Sequence, residues 1–203
     1  MPDYLTISPE SLPPPEAYRL LISCVVPRPI GWISTLSPTG VPNLAPYSFF
    51  NAVAGSPPVV MFSAGRRLGP KDTLLNAEQT GEFVVNIVSE DLLQAMNQTS
   101  GAYPYEVNEF EAAGLEPAPS VHVKPPRVAA ARAALECRVL HVLPIEPTNY
   151  TAVFGQVLCF HIQSDLIGPD GMVDARGLAP VARLGGSRYA TLGEVLDLPR
   201  PQV

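Results

Sequence analysis

Apolar residues recur at strand-like spacing along most of this chain, and proline and glycine interrupt them often. Tyr18–Val26 is apolar but fits helix or strand equally. Ile30–Leu36 alternates as a strand, and Ser37-Pro38-Thr39-Gly40 supplies a turn in which Gly40 is free to take positive φ. The chain returns through Asn43–Asn51, which predicts a hairpin. Pro57-Pro58 opens a short buried strand, Val59–Ser63, and Ala64–Pro70 follows as a loop carrying Arg66 and Arg67. Lys71-Asp72-Thr73 marks a helix start with Asp72 or Thr73 as cap, Leu74, Leu75 and Ala77 begin the helix, and Gly81 ends it. Glu82–Ser89 is a strand with Phe83, Val85 and Ile87 on one face, after which Ser89 caps a helix over Glu90–Asn97.

Asn97–Pro126 lacks a clear period, and a segment of that length is more often functional than idle. Ala133–Leu143 and Tyr150–Ser164 are two long strands joined by Pro144–Asn149. Pro169-Asp170-Gly171 is a turn, and Leu192–Leu196 a short helical stretch. Met1–Glu16, rich in proline, is an arm over the surface of one domain spanning residues 1–203. Six to eight strands with two or three helices predict a small antiparallel barrel with helices outside, a β-sandwich being the open alternative.

Composition narrows the function classes. The 203 residues are 46% apolar, ample for one core. A net charge of −6 disfavours a nucleic-acid partner, because a phosphate backbone needs a basic surface. No apolar run can span a bilayer, no secretory signal is expected, and Cys24, Cys137 and Cys159 are too few and too scattered for a disulfide framework. A reducing cytoplasm is the expected location. There is no GxSxG, HExxH or P-loop pattern.

Two stretches carry candidate chemistry. Arg66, Arg67 and Lys71 gather beside the helix start at Asp72-Thr73. Free N–H groups, helix polarity and basic side chains together suit a phosphate. A solvated basic loop with an ordinary cap explains the same residues without a ligand. In the hairpin, Trp32, Ile33, Ser34 and Thr35 on one arm, and Ser48, Phe49, Phe50 and Asn51 on the other, offer hydroxyls and rings to a flat ligand with polar edges. Ser34 and Thr35 point to opposite faces of a strand, so one serves through its backbone. Plain strand pairing is the alternative. Cys137 with His141, and Cys159 with His161, have the spacing of soft ligands on adjacent strands, but regular mid-strand positions argue against a metal, and none is expected.

The motifs PRPIGWIST, NLAPYSFFN, PKDTLLN, EFVVN, NEFEAAGLE, VKPPRVA and RLGGSRY occur in order between Ala17 and Thr191. Together they resemble the flavin reductase-like family. The resemblance implies an FMN-binding split β-barrel, mostly β, working as a homodimer with flavin near the seam. It implies FMN as cofactor, NADH or NADPH as electron donor, and free flavin or a partner oxygenase as acceptor. It assigns the segment of Lys71, Asp72 and Thr73 to the FMN phosphate, with Asp72 a cap or a mate for Lys71, and brings Arg183 and Tyr189 near the flavin or the dimer seam. No protein acid or base is required, since hydride transfer to a flavin needs geometry and a tuned ring. A non-catalytic FMN-binding or electron-carrier protein is the second reading, and a scaffold without flavin the third.

Overall fold

The computed structural model describes residues 2–65 and 71–202. Pro14 and Pro15 open helix α1 (Pro14–Cys24), where proline's fixed φ and missing N–H cost nothing. This settles the ambiguous Tyr18–Val26 stretch as largely helix, and only Ile22 of α1 is buried. Strands β1 (Arg28–Pro29), β2 (Gly31–Leu36), β3 (Pro42–Tyr47), β4 (Phe50–Gly55) and β5 (Pro58–Gly65) follow. Next come α2 (Asp72–Thr80), β6 (Glu82–Ile87), α3 (Leu93–Gln98) after a short 3-10 turn, α4 (Glu109–Ala112), β7 (Pro117–Ala118) and β8 (Arg127–Val128). The long strands β9 (Ala133–Ile145) and β10 (Tyr150–Ile162), helix α5 (Ala175–Leu178), and strands β11 (Ala182–Arg183) and β12 (Tyr189–Ala190) complete the chain.

Seven strands form one antiparallel sheet in the order β3-β2-β6-β9-β10-β5-β4. The sheet curls until Tyr47 of β3 meets Phe62 of β5, ring centroids 5.0 Å apart, yet β3 and β4 do not pair. The result is a barrel with a split. Alternation along each strand sorts side chains between two cores. Ile33, Phe62, Phe83, Val85, Cys137 and Val153 fill the interior, where Leu74 and Ala77 of α2 join them. Trp32, Leu44, Val88, Met96, Phe110, Val128 and Val181 form the outer core beneath the helices and the short strands. Phe83 and Val85 share the interior as their spacing predicts, with Ile87 packed against them.

Gly155 shows how close this packing is. A Cβ there would lie 2.3 and 2.5 Å from ring atoms of the fully buried Phe83. Only a residue without a side chain lets β10 cross that ring.

Several local expectations need correction. The return arm of the first hairpin stops at Tyr47 and does not continue to Asn51. Ser48 and Phe49 turn the chain, and β4 pairs with β5, because Phe49 O accepts from Ser63 N at 2.8 Å. Neither Asp72 nor Thr73 caps α2. Lys71 is the cap residue, and no side chain closes that end. Ser89 precedes its 3-10 turn without a capping bond. Leu192–Leu196 is not helical. Five residues containing Gly193 cannot meet the cost of nucleation without tertiary cover. A short helix forms instead at α5, where Asp174 accepts from the N–H groups of Arg176 and Gly177, both at 3.0 Å. Part of the segment predicted irregular, Asn97–Pro126, is ordered by α4 and by β7 pairing with β8.

Candidate functional site

The turn that ends β3 builds the most distinctive surface feature. Ser48, Phe49, Phe50 and Asn51 line a cavity of about 330 Å³ with Leu21, Val25, Pro27, Arg28, Pro29 and Met61. Its size lies at the lower end of small-ligand pockets. The walls are apolar, and the polar groups gather at Arg28, Ser48 and Asn51. Phe50 owes its place to Gly31, since a Cβ at Gly31 would stand 2.6 Å from the Phe50 ring. Phe49 leans on Tyr150, centroids 5.6 Å apart, and Tyr150 lies opposite Gly65 at the end of β5.

Arg28 is the residue that sequence reasoning missed. Its side chain is only 6% exposed, and among the described residues it meets no carboxylate. Nη1 donates to Ile22 O and Val25 O, both at 2.7 Å, Nη2 to Leu184 O at 3.0 Å, and Nε reaches Ser48 Oγ at 3.5 Å. Burial lowers its pKa, with Tyr18 raising it and Arg183 lowering it further. Guanidinium remains charged through such a shift. Among the described residues this cation is held by neutral oxygens alone, the three carbonyls and the Ser48 hydroxyl, so no carboxylate compensates its charge at the cavity. The available signal was a lone arginine between Pro27 and Pro29 in an apolar stretch.

Arg183 lies opposite Arg28 across β1 and β11, but neither it nor Tyr189 lines the cavity. Arg183 lies 4.5 Å over the Tyr189 ring, donates to the Tyr189 hydroxyl, and reaches Gly186 O at 2.6 Å. Tyr189 in turn donates to Asn97 Oδ1 at 3.1 Å.

The remaining predicted residues divide by face. Trp32 and Ile33 have no exposed surface. The Trp32 indole donates to Thr99 Oγ1 at 2.9 Å, and Ile33 lies in the interior core. Neither side chain can touch a ligand in this arrangement, so any contact from them is through backbone. Ser34 and Thr35 do point to opposite faces, and both are fully buried. Ser34 Oγ has no hydrogen-bond partner among the described residues. Thr35 belongs to a buried polar network. Its hydroxyl donates to Asn43 Oδ1 at 3.3 Å and accepts from Asn76 Nδ2 at 3.1 Å.

That network reaches the start of α2. Thr73 Oγ1 donates to Asn43 Oδ1 at 2.7 Å, and Asn43 Nδ2 donates to Glu109 Oε1 at 2.9 Å. Leu44 N donates to Glu109 Oε2 at 3.0 Å, and the Tyr105 hydroxyl reaches Asn76 Oδ1 at 2.8 Å. Burial raises the Glu109 pKa against the hydrogen bonds that lower it. Asn43, Asn76 and Glu109 fasten the hairpin, α2 and the segment after α3 into one unit, and they too escaped the sequence reading. Thr73 spends its proton inside this unit. Lys71 is exposed at the helix start, and no side chain caps the N–H groups that follow it. Asp72 stands beside them with its pKa raised by burial, Lys71 opposing and Glu106 adding to the shift. Arg66 and Arg67 lie outside the described residues.

The histidine and cysteine pairs do not converge as spaced. Cys137 is in the interior core and His141 is exposed. Cys159 and His161 instead meet Glu136, with one ligand atom from each inside 4.8 Å. Glu136 is fully buried, and its two oxygens accept from Val121 N (2.7 Å), His122 N (2.6 Å), Val123 N (3.2 Å) and His161 Nε2 (2.5 Å). A carboxylate has about four acceptor positions, so these contacts saturate it. The cluster clamps the Ser120–Val123 loop to the sheet.

Burial pushes the Glu136 pKa up, but the bonds from His161, Val121 and His122 prevail and hold it below the ordinary carboxylate range. A depressed folded-state pKa contributes stability above the unfolded value, about 4.3 for glutamate, and that stability is lost as pH falls through the folded value. Urea melts at successive pH values should therefore show the wild-type chain losing stability below about pH 4.3 more steeply than Glu136→Gln. Parallel slopes would remove Glu136 from the acid response.

Comparison with known proteins places these features in a family context. Residues 22–180 match the model of the Flavin reductase like domain. An uncharacterized protein of Halalkalibacterium halodurans is 41% identical over 206 residues, covering 98% of each chain. Nitrilotriacetate monooxygenase component B from Bacillus cereus superposes with a TM-score of 0.94 at 35% identity, over 98% of this chain and 100% of that one. The 2-nitrobenzoate 2-nitroreductase of Pseudomonas fluorescens gives 0.88 at 29% identity, over 97% and 96%. A Shewanella frigidimarina protein with a split barrel domain gives 0.86 at 23% identity, over 95% and 96%, and shares the fold. No helix among the described residues is long and apolar enough to cross a membrane.

Proposed function

Since this chain belongs to the flavin reductase-like family, with that family's split β-barrel, we propose that it is an FMN-binding oxidoreductase that accepts hydride from NADH or NADPH and passes electrons to free flavin or to a partner oxygenase. The observation that carries this reading is the cavity bordered by Ser48–Asn51 and Arg28, with apolar walls and donors on one edge. An isoalloxazine ring has the matching division, an apolar dimethylbenzene end and a hydrogen-bonding pyrimidine end, and the donors present fit it. Lys71 and the open N–H groups of α2 are assigned to the phosphate. FMN, when bound, supplies the two-electron acceptor. The chain's own part is to orient the ring, exclude water from one face with Phe49 and Phe50, and offer positive charge at Arg28 where electron density rises.

The test is anaerobic addition of NADH or NADPH to FMN-loaded protein. Prompt loss of the oxidised-flavin absorbance is the expected result. A yellow protein that neither nucleotide bleaches would instead be the electron carrier of the second reading.

Oligomeric state belongs to the same proposal. Strand β4 ends the sheet with its outer edge unpaired and is exposed from Asn51 to Gly55, and α1 with the residue after it shows Tyr18, Leu20, Leu21 and Val25 to solvent. Such an edge and apolar face favour a cover, and a second copy of this chain is the cover proposed, as a cytoplasmic homodimer. Light scattering should give a dimer mass at micromolar concentration. A monomer that still binds flavin rules out a site completed by the second copy.

A further inference from the structure

A second cavity, of about 340 Å³, lies where β8, the start of β9 and the end of β10 meet. Its polar lining is Arg127, Arg132, His161 and Gln163, and its apolar side includes Phe160 and Ile162. Strand β10 runs from Tyr150, opposite Gly65, to Ile162. At about 3.3 Å per residue this cavity is then roughly 35 Å along the strand from the Gly65 end. It does not share a lining residue with the cavity at Ser48–Asn51.

The charges converge. Arg127 Nε is buried and has no hydrogen-bond partner among the described residues. That atom is closed to solvent, and the Nη1 and Nη2 groups of the half-buried Arg127, which make no hydrogen bond or ion pair among the described residues, are the donors left for a ligand in the cavity. Arg132 is anchored through Nη1 to Gly177 O at 2.5 Å and through Nη2 to Asp91 Oδ1 at 3.3 Å, which leaves further N–H donors on the same guanidinium. His161 is held from behind by Glu136 at 2.5 Å. Among the described residues, Asp91 and Glu136 are the acids in contact with this group, and they are already engaged by Arg132 and by His161 Nε2.

We propose that this cavity binds a small organic anion, a carboxylate carried on an apolar body. Arg127 is the principal charge partner, Arg132 and Gln163 add donors, and Phe160 and Ile162 cover the apolar part. The apolar side argues against inorganic phosphate, which gains nothing from contact with Phe160, itself 55% exposed and available to a ligand. The proposal stands independently of the flavin reading.

The test uses the full chain, with and without saturating FMN, and calorimetric titration with benzoate, acetate and inorganic phosphate. Benzoate should bind saturably, more tightly than the other two, and equally well with FMN present. Arg127→Gln should weaken it about 10-fold or more, the effect of losing one charge-assisted contact. Ala129→Glu places a negative charge in the lining at an exposed position, where folding is not at risk, and should abolish binding. No saturable benzoate binding, binding unchanged in both variants, phosphate binding as tightly as benzoate, or competition between benzoate and FMN would each overturn the proposal.

Discussion

Arg28→Ala should lower stability by about 3 kcal/mol, the order expected when a charged donor serving several carbonyls is removed. The loss has a specific origin. Ile22 O and Val25 O lie at the end of α1 and Leu184 O lies between β11 and β12, and one guanidinium satisfies all three. Alanine leaves the buried Ile22 carbonyl without a donor and the half-buried Val25 and Leu184 carbonyls without their fixed partner, and loosens α1 and the short β11–β12 pair together. Arg28→Lys keeps the charge but cannot fork to three acceptors, so it should fall between the two. Urea unfolding followed by tryptophan fluorescence reports the loss, because the single Trp32 is fully buried. If Arg28 also lines the flavin site, the alanine variant should release FMN more readily than lysine does at equal folded fraction. An alanine variant as stable as wild type would mean that the three carbonyl contacts contribute nothing net.

Lys71→Ala should separate phosphate binding from chemistry. One charge-assisted contact is worth roughly 1.5–3 kcal/mol, or about 10- to 150-fold in affinity for FMN. Riboflavin, which has no phosphate, should bind both proteins alike. Saturating FMN should restore turnover with NADH or NADPH to near the wild-type value, since Lys71 is exposed at the start of α2 and away from the cavity at Ser48–Asn51. Ser48→Ala, at the edge of that cavity, should instead alter the flavin spectrum or the rate even at saturation. Flavin fluorescence titration and saturated turnover, measured in parallel, give both quantities. Unchanged FMN affinity, or turnover that stays low at saturation, removes Lys71 from the phosphate end.

The sequence alone determined the longer strands and a mostly β fold. Alternation in Ile30–Leu36, Glu82–Ser89 and the two long strands depends on neighbours one or two residues away, and it survives in β2, β6, β9 and β10. Turns at Gly40, Gly81 and Gly171 were legible for the same reason, since each takes the positive φ that glycine alone adopts cheaply. The ordered motifs sufficed for the family. What only the tertiary structure decided is which partner each polar group finds. Thr73 looks like a cap in sequence, yet its proton goes to Asn43, 30 positions away. Glu109 reads as one acid among several, and becomes the buried anchor of Asn43 and Leu44. Ser48–Asn51 seemed to continue a hairpin, but Gly31 makes room for Phe50 and turns the chain toward β5. Arg28 offered only a lone arginine between two prolines, and its role was hidden because its acceptors come from α1 and from Leu184 at the far end of the chain. Periodicity is a short-range property of the backbone, whereas hydrogen-bond pairing and cavity walls arise only when distant segments meet.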